Sequence, residues 1–304
     1  MKCRKCGAPA ALELRRHNAA FCAPDFLDFF RNQVREAIRR HKMFTPKERL
    51  LVAVSGGKDS LALWDVLLDD GYDATGLYLD LGIFEYSAES KAKCEAFAAR
   101  RGARLIVTRV ADEVGAAVPV IKDVTRRPPC SGCGLSKRYL MNRVALEHGM
   151  DVVATGHNLD DEAATLFGSV MHWQIDALPR QSPALPSTHP KLVRRVKPLY
   201  RLSERETAAY AFLRRIDYIV DECPFARGAT SIAHKEILNR MEEASPGAKH
   251  NFLFGFLDKA RPAFERAQDV TLMECVRCGQ VTTGELCAFC KLSDRVRRST
   301  GPGA

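Results

Sequence analysis

Two cysteine pairs near the C-terminus, Cys275-x-x-Cys278 and Cys287-x-x-Cys290, offer four thiolates separated by one short loop. That is a closed tetrahedral donor set, and structural zinc is the chemistry it suits. The N-terminus repeats half of the pattern, with Cys3-x-x-Cys6-Gly7 and then Cys22. Its fourth ligand is either Asp25, three residues beyond Cys22, or His17; Asp25 is the preferred reading, although oxygen ligation is uncommon in structural zinc sites. The third group is different in kind. Cys130-x-x-Cys133 lies in Pro128-Pro129-Cys130-Ser131-Gly132-Cys133-Gly134, and Cys223 stands far along the chain before Pro224. Three thiolates leave a zinc site one ligand short. They suit a cluster with one iron left open, a redox pair with a third sulfur, or a zinc that borrows a ligand. Cys94 stands alone and reads as a small core hydrophobe.

A second chemistry is written in Ser55-Gly56-Gly57-Lys58-Asp59-Ser60. Two glycines let backbone N–H groups approach an anion, and a following helix adds its dipole. The serines supply hydroxyls, Lys58 supplies charge, and Asp59 can hold Mg²⁺. The Walker pattern has four residues between its first glycine and its Gly-Lys pair, so this is another kind of phosphate loop.

The elements that must position these groups alternate. Apolar runs predict strands over 50–54, 75–79, 104–110, 151–155 and 193–198. Helical periodicity is expected over 61–68, 87–101 (closed by Gly102), 135–148 (stopped by Gly149) and 160–171. Strands separated by helices imply right-handed crossovers and a parallel sheet covered on both faces, with ligands beyond the carboxyl ends of the strands. The expected organisation is an N-terminal knuckle over 1–25 and an amphipathic basic helix over 26–45. A catalytic domain over 46–265 and a C-terminal knuckle over 266–304 follow. The proline-rich stretch 178–191 is expected to be a mobile loop.

Hydrophobic residues make up 46% of the chain and charged residues 27%, which excludes general disorder. The net charge is +9, and residues 1–49 hold twelve basic against five acidic side chains, so a polyanionic partner is expected. No apolar run is long enough to span a bilayer, and the start lacks the apolar stretch of a secretory signal. Together with the cysteine usage, this leads to the expectation of a cytoplasmic protein whose thiols serve metal or redox chemistry.

The loop Ser55–Ser60 resembles the PP-loop of the N-type ATP pyrophosphatases. Gly156-His157-Asn158-Leu159-Asp160-Asp161-Glu162-Ala163 is similar to the second nucleotide motif of that superfamily. With Pro129-Cys130-Ser131-x-Cys133-Gly134 and the terminal knuckles, the resemblance narrows to the tRNA 2-thiolation enzymes and covers nearly the whole chain. The stretch Ser136-Lys137-Arg138-Tyr139-Leu140-Met141-Asn142 looks most like the type acting on 5-methyluridine 54 of the T-loop (the TtuA type); 2-thiolation of anticodon uridine 34 is the alternative. The resemblance implies an adenine-nucleotide-hydrolase-like, Rossmann-like α/β core and an enzyme that adenylates the uracil C2 oxygen with ATP, then inserts sulfur. It implies a [4Fe–4S] cluster on Cys130, Cys133 and Cys223, two Zn²⁺, Mg²⁺ on Asp59, and a ubiquitin-like sulfur carrier with a C-terminal thiocarboxylate. Lys137 and Asp161 match its catalytic positions, with Cys130 and Cys223 on the sulfur side. Gly156 and His157 fall in the second nucleotide motif, and adenine is expected at the strand ends around Val54, Tyr78 and Asp80. Asp25, where the family usually places His, is a departure.

Arg31, Arg35 and Arg39 recur at i, i+4 and are the expected tRNA-binding face, with Arg194, Arg195, Lys197 and Arg201 as a second patch. Two rival classes remain beside the thiolase: a PP-loop amine ligase of the lysidine type, and a silent RNA-binding module. The cysteine trio speaks against the first and the intact phosphate loop against the second. No membrane partner is expected, and the oligomeric state is open, with a homodimer one expectation.

Overall fold

The computed structural model describes residues 1–126, 128–226, 228–264 and 271–300. An N-terminal hairpin, β1 (Leu12–Leu14) and β2 (Ala19–Phe21), leads into helix α1 (Ala23–Arg40). The chain then alternates: β3 (Leu50–Val54), α2 (Lys58–Asp69), β4 (Ala74–Asp80), α3 (Phe84–Arg101), β5 (Leu105–Arg109). Three helices follow, α4 (Val110–Val114), α5 (Val118–Thr125) and α6 (Pro129–Glu147), then β6 (Val152–Thr155), α7 (Leu159–Met171), β7 (Ala184–Leu185) and β8 (Arg194–Val196). The remainder is α8 (Glu204–Leu213), α9 (Thr230–Ala244), α10 (Ala248–Gly255), α11 (Arg261–Phe264), β9 (Met273–Glu274), β10 (Val281–Thr282) and α12 (Ala288–Thr300).

The central sheet has the order β5-β4-β3-β6-β8-β7. The first five strands are parallel, and the edge strand β7 runs antiparallel to β8. After β3 the chain moves outward through β4 and β5, then returns to the other side of β3 as β6. The carboxyl ends of β3 and β6 therefore flank a switch point, where such sheets open a ligand crevice.

Alternation along the strands builds two cores. Leu50, Val52 and Val54 pack with Trp64, Phe97 and Phe30, whereas Leu51 and Val153 face Leu140 and Val144 of α6. Gly76 makes the first core possible, because the Trp64 ring lies 2.6 Å from where a Cβ would stand. The Trp64 indole is held there by a 2.9 Å hydrogen bond to the Ala74 carbonyl. On the second face the C-terminal knuckle is part of the core. Phe289 stacks on Tyr139 of α6 at 3.6 Å between centroids, and Val296 is fully buried.

The structure departs from expectation in three places. Helix α6 starts at Pro129 and not at 135, because proline is well tolerated in a helix's first turn; Cys130 and Cys133 are thus helical residues. The stretch 178–191 is not all loop, since it holds a 3₁₀ turn at Leu178–Arg180 and strand β7. The basic helix spans Ala23–Arg40, which brings Asp25 into its first turn. The expected boundary at 265/266 lies outside the described residues. Among the described residues no helix is long and apolar enough to cross a membrane.

Candidate active site

The phosphate loop leaves β3 at Val54 and opens α2. Gly56 has φ +76°, and a Cβ there would meet the Ser90 carbonyl at 2.6 Å, so only glycine fits. The loop is pinned from three sides. Ser60 Oγ accepts from Ser55 N at 3.1 Å and donates to the Gly57 carbonyl at 3.0 Å, while Ile219 N donates to the Gly56 carbonyl at 2.9 Å. The expected adenine positions lie at the adjoining strand ends, where Val54 pairs in register with Tyr78. The Tyr78 hydroxyl is committed to Ser87 O and Ser90 Oγ, both at 2.8 Å, and Asp80 accepts from Gly82 N at 2.9 Å; backbone groups are therefore what this edge offers a base.

The second motif leaves β6 directly opposite. Gly156 lets the two loops touch, since a Cβ there would stand 2.8 Å from the Ser60 backbone. Asn158 and Asp161 form a reciprocal capping box at the start of α7, with both bonds at 3.1 Å. Capping therefore belongs to Asn158, and His157 instead meets Thr155 Oγ1 at 2.8 Å. Loss of surrounding solvent lowers the His157 pKa, although its side chain still reaches the surface.

A ring of polar contacts closes the crevice floor. Lys58 Nζ lies 3.0 Å from Asp59 and 2.8 Å from Glu204, and Asn158 Nδ2 donates to Asp59 at 3.0 Å. Lys235 Nζ completes it, at 2.6 Å from Asp161 and 3.4 Å from Glu204. Burial pushes the Asp59 carboxyl up, opposed by Lys58 and Asn158. Burial also disfavours the Lys235 ammonium, but Asp161 and then Glu204 outweigh this and raise its pKa. Asp160, just below, accepts from Glu204 N at 2.9 Å and is ion-paired with Lys249. Sequence reasoning missed Glu204 and Lys235. Glu204 carries a faint signal, as the first residue after the Ser203 N-cap of α8; Lys235 carries none.

Two of the central cysteines lie on α6, whose Lys137 acts electrostatically on His157 of the second nucleotide loop. Cys130, Cys133 and Lys137 recur at i, i+3 and i+7, hence on one face. Burial pushes the Cys133 thiol up, Lys137 beside it pulls it down, and Cys223 and Cys130 are near enough to raise it further. Cys223 and Phe225 pack on the same face, with Phe225 O 4.0 Å from Cys130 Sγ. Among the described residues, only the two terminal sets bring three or more metal-ligating atoms within 4.8 Å of one another. The central trio is not one of these compact sets.

The terminal sets are compact. Cys275, Cys278, Cys287 and Cys290 form one, and Cys3, Cys6, Cys22 and Asp25 the other. Burial raises the Cys275 thiol, but backbone N–H groups of Cys287, Cys278 and Arg277 outweigh it and bring it to about 6. Asp25 Oδ2 stands 3.1 Å from Cys3 Sγ and 3.2 Å from Cys22 Sγ, and the thiols of Cys6, Cys3 and Cys22 hold its carboxylate well below its usual range. His17 is turned away, 3.6 Å from Glu206 and edge-on to Phe29. Both donor sets therefore fit a single tetrahedral ion.

The expected RNA face is largely paired within the protein. Arg31 and Arg35 share Asp70, each at 2.7 Å, and Arg39 binds Glu36 at 2.8 Å. In the second patch Arg194 pairs with Glu48, Lys197 with Glu162 at 2.7 Å, and Arg201 Nε donates to Gln33 at 3.0 Å. Among the described residues Arg195 has no such partner.

Comparison with known proteins places this geometry. Residues 27–226 match the family described as PP-loop domain, and residues 2–27 match "2-thiouridine synthetase TtuA, N-terminal LIM domain". The chain is 52% identical to the tRNA-5-methyluridine(54) 2-sulfurtransferase of Thermus thermophilus, over 98% of this chain and 92% of that one. It is 42% identical to the protein of the same description from Pyrococcus horikoshii, over 96% and 93%. Among solved structures, the U34-tRNA thiolase NcsA from Methanococcus maripaludis with its [4Fe-4S] cluster superposes with a TM-score of 0.84 at 25% identity, covering 100% of this chain and 98% of that one. The chain belongs to the family of PP-loop tRNA 2-sulfurtransferases.

Proposed function

We propose that the protein uses ATP to convert 5-methyluridine 54 of tRNA to its 2-thio form. The observation that carries this reading is an intact phosphate loop and a cysteine-bearing face of α6 in a chain half-identical to a 2-sulfurtransferase of that nucleotide. A carbonyl oxygen of uracil is a poor leaving group. Attack of the C2 oxygen on the α-phosphorus breaks the bond to pyrophosphate and converts that oxygen into part of a good leaving group. Sulfur then adds to C2, the C2–O bond breaks, and AMP departs with the former carbonyl oxygen.

The chain's own groups divide this work. Backbone amides of Ser55–Ser60 and the α2 N-terminus receive the phosphates, for which Lys58 must leave Glu204. Lys137 would stabilise charge developing on the substrate oxygen or phosphate, and Asp161, ion-paired with Lys235, would bind metal or move a proton. Asp59 is the carboxylate suited to Mg²⁺, which would offset the charge of departing pyrophosphate. Cys130, Cys133 and Cys223 would hold a [4Fe–4S] cluster, which when bound supplies an iron site open to sulfur. The two terminal sets would hold zinc, with Asp25 as the fourth N-terminal ligand. A ubiquitin-like carrier ending in a thiocarboxylate is the sulfur source in this reading, and Arg31, Arg35 and Arg39 contribute long-range attraction for tRNA.

Nucleoside mass spectrometry of tRNA from cells with and without the gene tests the assignment. Loss of 2-thio-5-methyluridine is expected. Loss of a 2-thiouridine from position 34 would move the substrate to the anticodon, and an unchanged profile would refute the reading.

A further inference from the structure

We propose that Arg138 and Arg195 form a two-guanidinium seat for a backbone phosphate of the bound tRNA, beside the cysteine turn. The inference rests on the sulfurtransferase reading and adds where the RNA is gripped. Arg195 lies on β8, opposite Val153 of β6, so its side chain points to the face covered by α6. Helix and strand are fixed against each other one turn away, where Asn142 donates to the Lys191 carbonyl and accepts from Val193 N, both at 2.9 Å. Four residues back along the helix are about 6 Å and two residues on along the strand about 6.6 Å, so the next matched pair is Arg138 with Arg195. Gly134 clears the space, since Arg138 Nη1 lies 3.2 Å from where its Cβ would stand.

What is missing there is an acid. Among the described residues neither arginine has an ion-pair partner, whereas Arg31, Arg35, Arg39, Arg194 and Lys197 are all matched by carboxylates. Burial, and next the Arg138 guanidinium itself, make the charge on Arg195 costly, with no carboxylate to offset it. Two such forks with no internal partner suit a bidentate oxyanion. The seat adjoins the chemistry: Lys137, the neighbour of Arg138, and Lys197, two residues past Arg195, both act on His157 of the second nucleotide loop. A nucleotide whose base reaches that crevice must carry its own phosphates just outside it. Phosphates of ATP or pyrophosphate are the competing source of the same chemistry.

The test compares the whole protein with Arg138→Gln and with Arg138→Gln/Arg195→Gln. Binding of tRNA is followed by fluorescence anisotropy across a salt series, ATP binding by calorimetry, and stability by melting. The double variant should bind tRNA roughly tenfold more weakly at moderate salt, with the slope of log affinity against log salt reduced by about one. ATP affinity should be unchanged and the melting temperature not lowered, because a like-charge contact is removed. Unchanged tRNA affinity and slope would overturn the proposal, as would a loss confined to ATP. Wild-type protein that bound no tRNA would instead sink the sulfurtransferase reading.

Discussion

The terminal and central cysteines share one spacing, Cys-x-x-Cys, and differ in how far the chain closes around them. At the C-terminus, Cys275, Cys287 and Cys290 are buried, backbone N–H groups point at the sulfurs, and four ligand atoms stand together. In the centre Cys130 is exposed, Cys133 and Cys223 are half-buried, and Lys137 stands beside Cys133. Closure uses up the donor set and makes structure; an incomplete set beside a crevice leaves coordination free for chemistry.

The sharpest way to break this comparison is to delete one sulfur in each region. Cys130→Ser should abolish 2-thiouridine formation, by more than about a thousandfold, while shifting the melting temperature little; a thiolation assay beside calorimetry reads both. Cys278→Ser should do the reverse first: metal stoichiometry falls by one, and stability by several kcal/mol, on the order expected when a structural metal is lost. Equal stability losses in the two variants would erase the distinction.

The N-terminal knuckle supplies the next effect. Glu206 on α8 receives Arg16 at 2.6 Å and stands 3.6 Å from His17, stitching the knuckle to the catalytic core. Burial raises its pKa, but His17 and Arg16 outweigh this and bring it to about 2, below the ordinary 4.5. A carboxylate held down in the folded state adds stability above its unfolded pKa, and that stability is lost as pH falls through its folded value. The contribution at neutral pH is about 3 kcal/mol at most. Glu206→Gln should therefore lower stability at pH 7 and flatten its pH dependence between 4.5 and 2. A curve parallel to wild type across that window would count against the stitch.

Two smaller effects belong to the open region and the surface. Glu204 competes with phosphate for Lys58, so Glu204→Gln should tighten ATP binding by about two- to fivefold, the worth of a partly exposed ion pair. Weaker binding would mean that the carboxylate positions nucleotide and does not merely hold the empty loop. Smallest of all, Arg31→Gln/Arg35→Gln/Arg39→Gln should weaken tRNA binding by only about two- to threefold, since Asp70 and Glu36 already neutralise most of that face. A larger loss than in the Arg138/Arg195 variant would return the main RNA contact to α1.

What was legible in the sequence is what residue type alone decides. Gly56 and Gly156 are required by backbone approach, and the cysteine sets by ligand chemistry, so both stand out without a fold. The start of α6 was hidden because Pro128-Pro129-Cys130-Ser131-Gly132-Cys133-Gly134 has the composition of a turn, and burial against Ile121 and the second core overrides it. Lys235 and Glu204 were missed for another reason: their meaning lies in partners at Lys58 and Asp161, which only the sheet's switch point brings near. The arginines show the opposite limit. A basic helical face counts charges but not the carboxylates that answer them, and Asp70 lies on another element.

The central claim is that the base oxygen is made a leaving group by adenylation and replaced by sulfur held at the cysteine face. It is tested most directly with tRNA carrying ¹⁸O at C2 of the target uridine, incubated anaerobically with ATP, a sulfur donor and the reconstituted protein. The account predicts one labelled AMP for each thiolated nucleoside. Label released to water, with AMP unlabelled, would contradict it.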